Sequence, residues 1–335
     1  MSYLTEEKLV ILGSAGAIGS NMVQAALTMG ITPNVVMYDP FDSGNEGAAA
    51  EIHHCAFPDA RVSWTSNIGE ALSGASFLIS SGGAPRKEGM TREDLLRGNA
   101  EIAAQLGKDI KSHCPELRFG VIIFNPADIT GLVTLVHSGL SSARIATLAA
   151  LDSTRLQTAL AHHFDVKQSD VVGCRTYGGH GEMMAVFAGQ ARVSGRPLTE
   201  LIGSSQLSDA DWEGIKSSVR QGGKRIIQLR GRSSFQSPAH QSALMVKAVL
   251  ENGGYPWPSG VYLDSAEHGF QKIMMAMETR LDREGVTWSM PQGTDDELAA
   301  LRASYEHLTR LRDEVVTMGV LPPLDEWARV NPRLG

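Results

Sequence analysis

Cysteine is scarce in this chain: three in 335 residues, at Cys55, Cys114 and Cys174. An odd, scattered set supplies neither a disulfide framework nor zinc-ligand spacing, and it fits free thiols in a reducing cytoplasm. His53-His54-Cys55 are contiguous, and adjacent helical residues point in different directions, so a partly exposed helix is expected there rather than a metal site. No apolar run approaches the roughly 18 residues of a membrane span. The opening MSYLTEEKLV has no basic-then-apolar pattern of a secretory leader. Positive charge is also short: 30 Lys and Arg against 37 Asp and Glu, a net charge of -7, argue against a nucleic-acid partner. A small anionic substrate stays open, because a few local arginines outweigh a diffuse negative surface. There are no repeats and no low-complexity linker. With 42% hydrophobic and 20% charged residues, the chain reads as globular, either two domains or one large one.

What is present begins with Lys8 to Asp39. An apolar run, Leu9 to Leu12, reads as a buried parallel strand and is followed by Gly13, Gly16 and Gly19. Ile18, Met22, Ala25, Ala26 and Met29 then recur at helical steps, and Val35 to Tyr38 forms a second strand ending at Asp39. Glycine lets the backbone turn tightly and approach a pyrophosphate, whose charge the helix start favours. Asp39, twenty residues beyond Gly19, is placed to accept hydrogen bonds from ribose hydroxyls, and its charge disfavours a 2′-phosphate. The expected cofactor is therefore NAD, with Gly13, Gly16, Ala17, Ile18, Gly19 and Asp39 as contacts. The glycine spacing is G-x-x-G-x-x-G, and a ligand-free glycine turn is its bland alternative.

Further on, strands are expected at Arg61–Trp64, Ser76–Ser81, Gly120–Phe124 and Arg144–Ala149. Helices are expected at Asn45–Phe57, Glu93–His113 and Ile129–Val136. Alternation of strand and helix gives a Rossmann-type α/β domain over residues 1–150, a parallel sheet covered on both faces. The pattern then changes to an α+β substrate domain over 151–318. It has helices at Asp152–Phe164, Asp209–Gln221, Lys224–Leu229, Pro238–Glu251 and Thr294–Met318, and strands at Asp170–Tyr177, within Met183–Val193, and at Gly260–Leu263 and Lys272–Met277. Residues 319–335, with three prolines, form a tail expected to wrap the surface.

Oxidising a secondary alcohol requires a base for the hydroxyl proton while hydride departs. Histidine suits the task, because its ordinary pKa lies near neutrality. His180 sits among glycines in Gly178-Gly179-His180-Gly181-Glu182, where a side chain can face a cleft. Arg155 follows Asp152 by three residues, on the same helical face, and a guanidinium can grip a carboxylate with two parallel bonds. A plain ion pair between the two is the commoner outcome of that spacing. Arg86 and Arg92 share a glycine- and proline-containing loop that reads as a closing lid.

Together Gly83-Ala84-Pro85-Arg86 with Arg92, Phe124-Asn125-Pro126, Leu151 to Arg155, and the His180 segment, in order after the glycine turn, resemble the lactate/malate dehydrogenase family over about residues 8 to 318. The malate-specific members are the most similar. The resemblance implies His180 as proton acceptor and donor, Asp152 as its carboxylate partner and Arg155 on the substrate's C1 carboxylate. It also implies Arg92 polarising the C2 carbonyl, and Asn125 touching substrate and nicotinamide ribose. Arg86 then selects a second carboxylate, so the implied substrate is a four-carbon dicarboxylate, malate or oxaloacetate, where lactate enzymes typically carry glutamine. Phe124, Asn99 and Ser234 are implied cofactor neighbours. No metal is implied, and a homodimer or homotetramer is. His240 and Gln241 replace expected small residues, which bears on the pocket wall, and the tail is longer than the family's. Three rivals remain: a lactate-type dehydrogenase, an NAD-dependent glycosidase using a metal at Cys174 and His180, and a non-catalytic NAD sensor.

Overall fold

The computed structural model describes residues 2–84, 91–181 and 183–334. The first half contains β1 (Lys8–Leu12), α1 (Ala17–Thr28), β2 (Asn34–Tyr38), α2 (Asp42–His54), β3 (Arg61–Thr65), α3 (Ile68–Leu72) and β4 (Ala75–Ser80), then α4 (Arg92–His113), β5 (Phe119–Ile122), α5 (Ala127–Ser138) and β6 (Ile145–Thr147). The second half contains α6 (Ala150–Phe164), β7 (Val171–Val172), β8 (Arg175–Tyr177), β9 (Ala185–Phe187), β10 (Arg192–Val193), β11 (Arg196–Pro197), α7 (Leu198–Leu201), α8 (Asp209–Arg220), α9 (Gly222–Arg230) and α10 (Gln236–Glu251). After these come β12 (Ser259–Ser265), β13 (Phe270–Asp282), β14 (Gly285–Ser289), α11 (Asp295–Thr317) and α12 (Trp327–Val330).

The central sheet runs β14-β13-β12-β6-β5-β4-β1-β2-β3. From β3 to β6 every pairing is parallel, and the near-continuous apolar strands β1, β4 and β5 are buried because helices cover both faces. The order reverses beside β1, so a crevice opens at the carboxyl ends of β1 and β4, where such sheets bind ligands. The fold is a Rossmann domain followed by an α/β second half, and the antiparallel strands β12 to β14 extend the same sheet from β6. Where β12 meets β6, Gly260 faces Thr147, and a Cβ on Gly260 would lie 1.7 Å from the Thr147 hydroxyl. Glycine is required for the halves to join there.

Several elements differ from expectation. Asp170–Tyr177 is two strands, because Gly173 takes φ +70° and a Cβ there would lie 2.1 Å from the Gln190 carbonyl. The stretch after Thr147 is helical from Ala150, so Asp152 lies inside the first turn of α6. β14 escapes a sequence reading because its pattern is short and its pairing partner β13 is only fixed by the fold.

The tail runs over the surface, but it is anchored rather than loose: within residues 319–334, Leu321, Trp327 and Asn331 are buried and the others are half-buried or exposed. The Trp327 indole donates to the Pro322 carbonyl at 2.9 Å, and Asn331 Nδ2 donates to the Leu135 and Leu140 carbonyls at 2.9 and 2.8 Å. Asn331 thus satisfies carbonyls at the end of α5, groups a helix terminus leaves without partners.

Cys55 is exposed, as expected of the His53-His54-Cys55 stretch, whereas burial raises the Cys114 and Cys174 thiols to about 12. A water-soluble disulfide reagent should titrate one thiol rapidly in the native protein and three after denaturation. Rapid reaction at two would contradict the packing. Among the described residues no helix is long and apolar enough to cross a membrane.

Candidate active site

The turn after β1 is held by close backbone approach. Gly13 has φ +81°, and a Cβ on Gly19 would lie 2.2 Å from the Gly13 carbonyl, so α1 can start tight against β1 only with these glycines. Gly16 is different: its Cβ would meet nothing nearer than 3.4 Å, and it lines a cavity of about 430 Å³ with Gly13, Asp39, Gly82 and Gly83. The open side at Gly16 lets a pyrophosphate reach the α1 N-terminus. Asp39 stands at the end of β2, accepting from the Phe41 and Ala15 amides at 3.0 and 3.3 Å. Ser14 donates to Asn45 at 2.6 Å, and the buried Asn45 amide donates to the Met37 and Thr65 carbonyls, bracing the turn from below. Asn45 carries no motif that announces this role.

A second cavity, of about 480 Å³, is lined by Ile18, Asn125, Arg155, His180, Lys224 and Ser234 among others. Gly16 faces the first cavity and Ile18 the second, so the start of α1 stands between them. At the second, His180 Nδ1 lies 2.8 Å from Asp152 Oδ2, and Arg155 donates to Asp152 Oδ1 at 2.7 Å. Asp152 is 4% exposed and the His180 side chain 36%, so the carboxylate is sealed while the ring reaches open space. The Asp152 charge raises the His180 pKa above the ordinary histidine value against an opposing effect of burial. With Nδ1 held by the carboxylate, Nε2 is the nitrogen left for chemistry. The Asp152–Arg155 pair does form, yet Arg155 still lines the cavity. Gly222 and Gly223 at the start of α9 give it room: a Cβ on Gly222 would lie 2.7 Å from Arg155 Cδ. The paired glycines opening that helix were the signal available in the sequence.

Other expected residues are placed differently. Arg86 lies outside the described residues. Arg92 is the first residue of α4, behind the Thr91–Asp94 capping box, and lines a separate groove with His307, Arg310 and Glu314 of α11. Asn99 is buried and accepts from the Ala84 amide at 2.8 Å while donating to the Asn125 carbonyl at 2.7 Å. Its amide clasps the loops after β4 and β5. Phe124 is buried against Gly83, and its carbonyl accepts from Thr130 at 2.7 Å, so it supports the crevice from the core. His240 and Gln241 face a groove between α1 and α10 and do not shape the wall around His180. Cys174 is buried in the second half's own core, and no cluster of three or more His, Cys, Asp or Glu able to hold a metal occurs among the described residues.

The lactate/malate dehydrogenase NAD-binding domain matches residues 7–147, and the lactate/malate dehydrogenase alpha/beta C-terminal domain matches residues 149–318. The chain belongs to the lactate/malate dehydrogenase family. A malate dehydrogenase of Synechocystis sp. is 30% identical over 303 residues, covering 89% of this chain and 90% of that protein. The crystal structure of malate dehydrogenase from Plasmodium falciparum superposes with a TM-score of 0.85 at 25% identity, over 93% of this chain and 99% of that one. The minor L-lactate dehydrogenase from Enterococcus mundtii superposes with a TM-score of 0.83 at 26% identity, over 92% and 98%. Members of both specificities are thus similar in fold. This lactate/malate dehydrogenase relative is an NAD-dependent 2-hydroxyacid dehydrogenase, and the residues at its glycine turn fit the dinucleotide.

Proposed function

We propose that the protein is a malate dehydrogenase, interconverting malate and oxaloacetate with NAD. The observation that carries the choice is Arg86, a cation where lactate enzymes carry an uncharged side chain, and relatives named malate dehydrogenase support it. When bound, NAD accepts hydride from the alcohol carbon or returns it as NADH. Gly16 and the α1 N-terminus would hold its pyrophosphate, Asp39 its adenosine ribose, and Asn125 and Ser234 its nicotinamide end. Arg155 fixes the substrate's C1 carboxylate; Arg92, which α4 places at the groove against α11, would have to swing toward His180 to bring positive charge to the carbonyl oxygen. Neutral His180 takes the hydroxyl proton at Nε2, and Asp152 stabilises the imidazolium that results. In the reverse direction the imidazolium returns that proton to the oxygen.

The test follows NADH oxidation with oxaloacetate and with pyruvate, then repeats it with NADPH. Oxaloacetate with NADH should be strongly preferred. Arg86→Gln should lower the oxaloacetate-to-pyruvate ratio of kcat/KM by about a hundredfold, the scale of an uncompensated buried charge pair. An unchanged ratio would remove the specificity argument, and a wild-type preference for pyruvate would make the lactate reading the better one.

A further inference from the structure

A second carboxylate reaches the candidate catalytic histidine. Asp128, the second residue of α5, is buried, and its Oδ2 accepts from the His180 backbone N–H at 3.1 Å. It comes from a different element than Asp152 and meets a different atom of His180, the peptide nitrogen rather than the ring. No ion pair among the described residues includes Asp128.

We propose that Asp128 is a positioning residue for His180, fixing that histidine's backbone through the peptide N–H and supplying a second negative charge beside its imidazolium. The proposal rests on the reading of His180 as the proton-transfer group.

Three features of the surroundings support it. The carboxylate sits in the first turn of α5, where the helix N-terminus favours a negative charge. It is kept dry by β12, since a Cβ on Gly260 would lie only 3.4 Å from Asp128 Oδ1, and the strand backbone closes over it. The groups that bear on the pair are few: Asp152 and Arg155 from α6, His180 itself, and the Thr147 hydroxyl from β6. Arg155 opposes protonation of His180 while Asp152 and Asp128 favour it. Asp128 therefore offsets the very arginine the substrate carboxylate needs. Burial raises Asp128 to about 6, above the ordinary carboxylate range, so it is ionised at neutral pH and loses its charge in mild acid.

Asp128→Asn keeps an oxygen to accept from the His180 N–H and removes the charge. The buried Thr147 hydroxyl, which lies beside the Asp128 carboxylate and lowers its pKa, can turn to accept from the new amide. The His180 ring signal is followed by NMR against pH in protein with labelled histidine, and is identified by its absence in His180→Asn. Asp128→Asn should lower its inflection by about one pH unit. The alkaline fall of NADH-dependent keto-acid reduction should move by the same amount. Asp128→Ala should add a loss of plateau kcat. Coincident NMR and rate profiles for Asp128→Asn and the unaltered protein, with only thermal stability changed, would overturn the proposal. The unaltered protein gives an independent check, because the His180 signal should carry a second inflection near pH 6 as Asp128 titrates, and a single inflection counts against it. If Asp128→Asn does not fold, Thr147→Val takes its place. Removing that hydroxyl should move the second inflection upward, and no movement is again adverse. Failure of the dehydrogenase reading would look different: no keto acid would drive NADH oxidation in the unaltered protein, whatever the NMR titration shows.

Discussion

His180→Asn should lower kcat for oxaloacetate reduction by about a thousandfold while leaving NADH affinity, read by fluorescence, within about twofold. The loss lies within the range of general acid–base catalysis. Affinity should survive because the ring stands at the second cavity while the glycine turn and Asp39 belong to the first. Asp152→Asn should cost about as much or more, since an amide no longer holds the ring in the productive tautomer and leaves Arg155 without its 2.7 Å partner. The pH dependence has a definite sign. Asp152 raises the pKa of His180, so reduction, which needs the imidazolium, holds above the ordinary histidine value and falls as pH rises through the raised one. Oxidation, which needs the neutral ring, rises over the same interval. A His180→Asn protein with near-normal kcat would exclude this residue as the proton-transfer group, and a large loss of NADH affinity would show that the two cavities do not act separately.

Trp327→Ala should destabilise the fold by about 3–5 kcal/mol, the usual cost of truncating a fully buried aromatic side chain. Its ring is buried, with the Lys272 ammonium of β13 6.0 Å from the ring centroid. Lys272 also donates to the Leu324 carbonyl at 2.8 Å, and His137 of α5 bonds the Val320 carbonyl at 3.0 Å. Truncation therefore opens a cavity and loosens a joint that several polar contacts close. The urea midpoint should fall, with kcat at low temperature little changed because the tail lines neither cavity. A change within about 0.5 kcal/mol, typical of a surface position, would show that the tail is dispensable.

Much of this could be read before folding. The glycine turn and Asp39 are legible because one local unit of strand, turn, helix and strand carries them, and local spacing determines what they face. Asp152 and Arg155 share a helical turn and are legible as a pair. Their meeting with His180 depends on packing β8 against α6, which spacing does not express, and there the family resemblance supplied the expectation. Asn99 and Asp128 were not legible in their observed roles. Each acts across elements distant in sequence, and each is of a residue type with many ordinary fates. The surface course of the tail was legible from its prolines, but its anchoring was not, because nothing local says that Leu321, Trp327 and Asn331 turn inward.

The bond from Asn331 to Leu135 spans 196 positions of chain. During synthesis the nucleotide-binding half emerges early, and at roughly 5–20 residues per second the wait for Asn331 is about 10–40 seconds. For that interval the Leu135 and Leu140 carbonyls lack the Asn331 amide, and the surface that will cover Trp327 stays open. The first half can collapse while the ribosome is still working, but its far end is finished by the tail. Chaperone contact with the nascent chain should therefore persist there, at the α5 terminus, after the glycine turn has formed.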